Sequence, residues 1–135
     1  MLNISNYKKM SYNEALTSIE ARNCGIYIVF EADEIIYVGK ASGVTLKRRL
    51  AEHVSYDNQF NTLTKKIGRR YNMPLTNCEE IFEYIAETLQ FVLIPFPVHS
   101  YNDNGYSYNV ELRNIIISSE RDLITKYKPL LNTRL

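Results

Sequence analysis

Two hydrophobic periods alternate along this chain. Ser11 stands three residues ahead of Glu14, the spacing of a capping box, and apolar Ala15, Leu16 and Ile19 follow. The pattern predicts a helix that runs to Arg22 and ends at Asn23-Cys24-Gly25. Gly25 to Ala32 (GIYIVFEA) and Ile35 to Gly39 (IIYVG) are rich in β-branched and aromatic residues. Joined tightly at Asp33-Glu34, they predict an antiparallel hairpin. After a loop containing Gly43, Thr45 caps a helix through Leu46, Leu50 and Val54. A polar stretch, Ser55 to Asn61, separates it from a short basic helix, Thr62 to Tyr71. Thr76 with Glu79 forms a second capping box, opening an acidic helix that buries Ile81, Tyr84 and Ile85. Leu89 to Phe96 reads as a third strand, central or partly covered. Val98 to Asn109 is a loop rich in tyrosine and asparagine, and Val110 to Tyr127 a long helix that Pro129 stops.

This order predicts an α+β fold: a small antiparallel or mixed three-stranded sheet flanked by helices, in a single domain over residues 1–135. With 45% hydrophobic and 23% charged residues, the composition is that of an ordinary globular chain. Met1 to Lys9 lacks the apolar run of a signal peptide, and no stretch is apolar enough to span a membrane. Cys24 and Cys78 show no metal-type spacing and are too few for a disulfide framework, so a cytoplasmic location is expected. A net charge of +1 alone argues against a general nucleic-acid binder. The distribution of charge argues otherwise. From Lys40 to Tyr71 eight basic residues face two acidic ones, a local net of +6, and Glu79, Glu80, Glu83 and Glu87 follow without a base. Such polarity suits a chain with one face toward phosphates.

Chemistry concentrates in a few separated positions. Gly25-Ile26-Tyr27 and Tyr37-Val38-Gly39 carry tyrosines ten positions apart. In an unbulged hairpin that even spacing is expected to place both side chains on one face. Lys40 follows directly, then the basic helix Leu46-Lys47-Arg48-Arg49-Leu50, and much later Glu120, Tyr127-Lys128-Pro129 and Asn132. In this order the residues resemble the GIY-YIG endonuclease superfamily, from Gly25 to Asn132, with residues 56–109 matching only in outline. Each residue alone is more often structural. A tyrosine fills a half-buried sheet, a glutamate lies on a solvated helix face, and an asparagine ends a turn. Six positions agreeing in order outweigh those readings together.

The resemblance implies the GIY-YIG nuclease fold and a catalytic set of Tyr27, Tyr37, Lys40, Arg49, Glu120 and Asn132. Phosphodiester hydrolysis needs an activated water, neutralised phosphoryl oxygens and a stabilised leaving oxygen. Glu120 alone can hold one Mg2+ (or Mn2+) ion per active site, because such an ion keeps most of its waters. Arg49 can clamp a nonbridging oxygen through its planar fork. A tyrosine accepts a proton from water only if its pKa falls well below the usual value of about 10, and Lys40, Arg49 and the ion could lower it. Asn132 can hydrogen-bond the phosphate or hold Glu120. Lys47, Arg48, Lys65, Lys66, Arg69 and Arg70 are candidate phosphate contacts.

His53 lies one helical turn beyond Arg49, on the same face. In this it is similar to the type II restriction enzymes of the superfamily, in which the first tyrosine, here Tyr27, is the favoured base with histidine support. In the excision-repair relatives the second tyrosine, here Tyr37, is favoured, so the base role stays open between the two. The expected activity is metal-dependent endonucleolytic cleavage of DNA, in a restriction, defence or mobile-element setting. A structure-specific repair or recombination nuclease is the alternative within that class. A non-catalytic nucleic-acid-binding module on a decayed nuclease fold is the alternative outside it. Cutting both strands would call for a homodimer, at least on DNA.

Overall fold

The computed structural model describes residues 3–54, 62–74, 78–96 and 110–132. The second capping box at Thr76, the polar stretch at 55–61, His99 and the loop at 98–109 lie outside the described residues. Strands β1 (Met10–Ser11), β2 (Cys24–Glu31), β3 (Glu34–Ala41) and β4 (Gln90–Phe96) form one sheet in the order β1-β4-β2-β3, every pair antiparallel. The class is α+β, with four strands where three were expected. The fourth strand is β1, whose two residues pair with Phe91 and Gln90. Two residues carry no alternation of their own, so only the partner strand defines this element.

Helices α1 (Tyr12–Thr17), α2 (Leu46–Glu52), α3 (Thr62–Tyr71), α4 (Glu79–Glu87) and α5 (Val110–Tyr127) complete the fold. Ser11 and Glu14 make the expected reciprocal cap on α1. The helix nevertheless ends at Thr17, five residues short of the expected Arg22, and Ser18 is in extended backbone. The Ser18 hydroxyl donates to the Ala15 carbonyl and accepts from the Ala21 amide, which diverts the chain into a separate 3-10 turn, Glu20–Arg22. Ile19, one of the apolar residues on which the longer helix was expected, is left 70% exposed.

The sheet is buried on both faces. Cys24, Ile26, Ile28, Val38, Val92 and Ile94 pack with Ile116 and Leu123 of α5. Tyr27, Val29, Tyr37, Phe91 and Leu93 pack on the other side with residues of α1, α2, α3 and α4. Each fully buried aliphatic side chain contributes about 1.5–3 kcal/mol. α5 is thus fixed beneath the hairpin while the other helices are fixed above it. On β3 the outer edge is closed in part by a side chain: Val38 N–H donates to Asn132 Oδ1 at 2.7 Å, and Asn132 Nδ2 donates to the Val38 carbonyl at 2.9 Å. One amide stands in for a neighbouring strand and protects an exposed edge.

Hairpin register departs from the expectation in a way that matters for chemistry. Ala32 and Asp33 form the turn, Ala32 in left-handed backbone at φ 54°, and Glu31 pairs with Glu34. Carried straight through, that register would set Tyr37 opposite Ile28 and turn the two tyrosines to opposite faces. Even spacing without a bulge therefore fails for a two-residue turn. The register shifts between Val29 and Phe30, so that Phe30 pairs with Ile35 but Val29 with Tyr37. Ile36 is the extra residue of this bulge, and it brings Tyr37 back to the face of Tyr27.

Candidate active site

The bulge sets the rings of Tyr27 and Tyr37 with centroids 6.1 Å apart. Gly39 is the cross-strand partner of Tyr27, and the Tyr27 ring lies directly over it. A Cβ at Gly39 would overlap ring carbon Cζ and the hydroxyl oxygen. At Gly25 a Cβ would overlap the Ile94 carbonyl oxygen on β4. Both glycines of the paired tripeptides are thus demanded by close approach. Gly39→Ala is expected to cost about 1–3 kcal/mol by overpacking and to displace the Tyr27 hydroxyl. Thermal melting together with a turnover assay checks this. A variant with wild-type stability and turnover would show that the ring relaxes freely.

α2 brings the next groups. Thr45 caps its start by accepting from Arg48 N–H, and the Leu46 amide donates to the Asn23 carbonyl at 2.8 Å. The end of the helix leaves carbonyls without helical partners. Two buried hydroxyls reinforce this end: Tyr12 donates at 2.8 Å to Leu50 O, which also accepts from the His53 amide, and Thr64 donates to His53 O at 2.9 Å. This last turn, so fixed, presents Arg49, Glu52 and His53 together. His53 is 3% exposed, and its Nε2 lies 2.7 Å from the Tyr27 hydroxyl. Arg49 donates from one terminal nitrogen to Glu52 at 3.0 Å, while its buried Nε has no hydrogen-bond partner among the described residues.

α5 supplies Glu120, whose Oε1 lies 3.3 Å from Lys40 Nζ. By strand alternation Lys40 points to the α5 side of the sheet and the tyrosines to the other. The groups meet around the β3 edge and line one cleft of about 230 Å³, with Ser42 and Glu52 among them. The family model of the GIY-YIG catalytic domain matches residues 23–134. The chain belongs to the GIY-YIG family. Searches of curated proteins and of solved structures found no match. GIY-YIG domains are nuclease domains, so the cleft is the candidate active site of a nuclease. Among the described residues no helix is long and apolar enough to cross a membrane.

Within this GIY-YIG cleft stand Tyr27, Tyr37, Lys40, Arg49, His53 and Glu120, six of the seven expected catalytic residues. Asn132 is placed differently. Its amide is committed to the Val38 backbone, where it holds the 3-10 turn Leu130–Asn132 against β3 instead of reaching phosphate or Glu120. The basic residues also divide. Lys47, Arg48 and Arg69 are exposed, and Lys65 is half-buried. Lys66 is not a free phosphate contact: its ammonium donates to the Leu131 carbonyl and ties α3 to that same turn. Partial burial, aided by nearby Arg69, lowers its pKa. Arg70 Nε donates to the Tyr71 hydroxyl, and Tyr71 and Tyr84 both donate to Glu31, a network that docks α3 and α4 on the hairpin tip. Glu52 and Ser42 were not expected in the cleft. Glu52 could have been found from its position, three residues after Arg49 and next to His53; Ser42 had no local signal.

Burial dominates the titration of the aromatic groups. Contrary to the expectation of a lowered value, it pushes the Tyr27 pKa well above the usual tyrosine range, with the nearby Tyr37 adding to the rise and Arg49 opposing it without overcoming burial. Burial likewise raises Tyr37, helped by Glu120, and pushes Tyr12 up to about 12. Raised folded-state values mean that the native state holds protons the unfolded chain has released. Stability is therefore expected to be insensitive to these groups below pH ~10 and to fall above it, by up to ~1.4 kcal/mol per pH unit for each such group. Denaturant unfolding between pH 9 and 11, on wild type and Tyr27→Phe, measures the slope. A slope as steep in the variant would remove Tyr27 from this account.

Proposed function

We propose that this GIY-YIG nuclease is a divalent-metal-dependent endonuclease that hydrolyses DNA phosphodiesters in a restriction- or defence-like role. The observation that carries the reading is the convergence of Tyr27, His53, Arg49, Lys40 and Glu120 on one cleft. The donor set suits an ion held by few protein ligands. Among the described residues no group of three or more histidine, cysteine or acidic side chains forms a cage. Glu120, a single carboxylate with 16% of its side chain exposed, suits one Mg2+ or Mn2+ ion that keeps most of its waters. When bound, the ion would polarise the phosphoryl group and stabilise the leaving oxygen.

The remaining work falls to side chains. Arg49 offers its guanidinium to a nonbridging phosphoryl oxygen, which would give its buried Nε a partner. Lys40 neutralises charge on the other side of the phosphate. Tyr27, with its raised pKa, is a neutral phenol at physiological pH. It activates water as a relay: its oxygen accepts a proton from the attacking water while its own proton passes to His53 Nε2, 2.7 Å away. Water oxygen then bonds to phosphorus as the bond to the leaving oxygen breaks. Tyr37 orients the water or the phosphate. His53 four residues after Arg49 supports the restriction-like variant of the chemistry, and one catalytic set per chain supports a homodimer on DNA for double-strand cleavage.

Incubation of purified protein with supercoiled plasmid, with Mg2+ or Mn2+ and with EDTA, tests the reading. Linear product that depends on the ion supports it. Cleavage undiminished in EDTA sinks the metal assignment, and nicked circles alone sink the dimer. Sequencing the product ends separates a restriction-like enzyme, with discrete ends, from a junction- or flap-specific one.

A further inference from the structure

The rim of the cleft opposite α2 carries an arginine that the catalytic set does not use. Arg113 lies in the first turns of α5, and its guanidinium reaches across to the loop after β3. Its terminal nitrogen is 3.9 Å from where a side chain at Gly43 would begin. Gly43 adjoins Ser42, which lines the cleft, so Arg113 lies just outside the lining residues. It precedes Glu120 by seven residues, two helical turns, and so shares its face of α5 at a separation of about 10 Å along the axis. The side chain is exposed, and no carboxylate among the described residues pairs with it. Arg49, which lines the cleft, pairs with Glu52, and the exposed Arg48 lies 4.0 Å from the same carboxylate.

We propose that Arg113 is a substrate-positioning residue that binds a non-scissile phosphate of the strand being cut. The proposal rests on the nuclease reading and deepens it, because it gives the enzyme a second grip on the backbone. A guanidinium suits this task, since its fork can hold two phosphate oxygens at once. Duplex DNA advances ~3.4 Å per phosphate on each strand, so a residue about 10 Å from Glu120 along the helix can reach a phosphate within roughly three nucleotides of the cut. The guanidinium lies alongside this loop, at ordinary contact distance from where a Gly43 side chain would begin. Binding energy gathered there holds the strand in the cleft equally in the ground and transition states, without touching the scissile phosphate. The substrate class that follows is a polynucleotide with phosphates flanking the cut, as opposed to a mononucleotide or an isolated diester.

Arg113→Ala and Arg113→Lys test this in the full chain. Binding to a duplex oligonucleotide is measured by anisotropy in EDTA, so that no cutting occurs, across a range of salt. Arg113→Ala is expected to weaken binding about tenfold, the scale of one charge-assisted contact. Its salt slope should fall by roughly 0.9, the contribution of one phosphate contact. Arg113→Lys should keep the slope and lose less affinity. In cleavage assays with metal, KM should rise in Arg113→Ala while kcat holds. Unchanged affinity and slope overturn the proposal, as does a loss of kcat with KM and slope unchanged. Wild-type protein that binds no DNA at all overturns the nuclease reading first and this proposal with it.

Discussion

Glu120→Gln is expected to abolish cleavage while leaving the fold and DNA binding in place. Glutamine keeps the shape of the side chain but cannot supply an anionic ligand, and Glu120 is the carboxylate that α5 delivers to the cleft beside Lys40. The structural cost should be small. The Lys40–Glu120 pair spans 3.3 Å with Lys40 38% exposed, and pairs so placed contribute about 0–1 kcal/mol. Thermal melting should therefore move little while plasmid cutting in Mg2+ disappears. A residual wild-type rate would show that the ion is held elsewhere. In that event Glu52, the second carboxylate of the cleft, would be the next candidate.

Tyr27→Phe is expected to lower turnover by about 10²–10⁴-fold, the usual contribution of general acid–base catalysis. Phenylalanine keeps the ring that packs over Gly39 and removes the hydroxyl that meets His53. The variant should also lose some stability. Tyr27 and His53 are 2% and 3% exposed, and removing one partner of a buried hydrogen bond costs roughly 1–3 kcal/mol. Rates must therefore be compared well below the melting temperature. Tyr37→Phe should slow cutting less, if Tyr37 only orients water or phosphate. His53→Ala should cause a partial loss, because the relay loses the group that receives the Tyr27 proton. Dead Tyr37→Phe beside nearly active Tyr27→Phe would transfer the base role to Tyr37. Full activity in both would leave water activation to the metal.

What the sequence determined by itself was local, or a set of residue types in a fixed order. The Ser11–Glu14 and Thr45 caps, the β2–β3 hairpin, the β4 strand and the α5 span can be read from nearest neighbours because their physics is local: side-chain capping, β-branched runs, and a proline that cannot continue a helix. The cleft residues were legible because their types and order resemble the GIY-YIG pattern, which is written in the sequence itself. Only the tertiary structure decided how they meet. A two-residue turn would have parted Tyr27 from Tyr37, and the bulge at Ile36 reunites them, a matter of register that neither strand encodes alone. Strand β1 exists because β4 offers an edge, and α1 breaks at Ser18 because a hydroxyl competes with the helix. Asn132 pairs with Val38 across 94 positions, and Lys66 meets Leu131 across 65. Residue type predicts a phosphate contact for such side chains. Which backbone group lies within reach is set by long-range packing, and in a dense interior the nearest unpaired carbonyl or amide takes the polar group first.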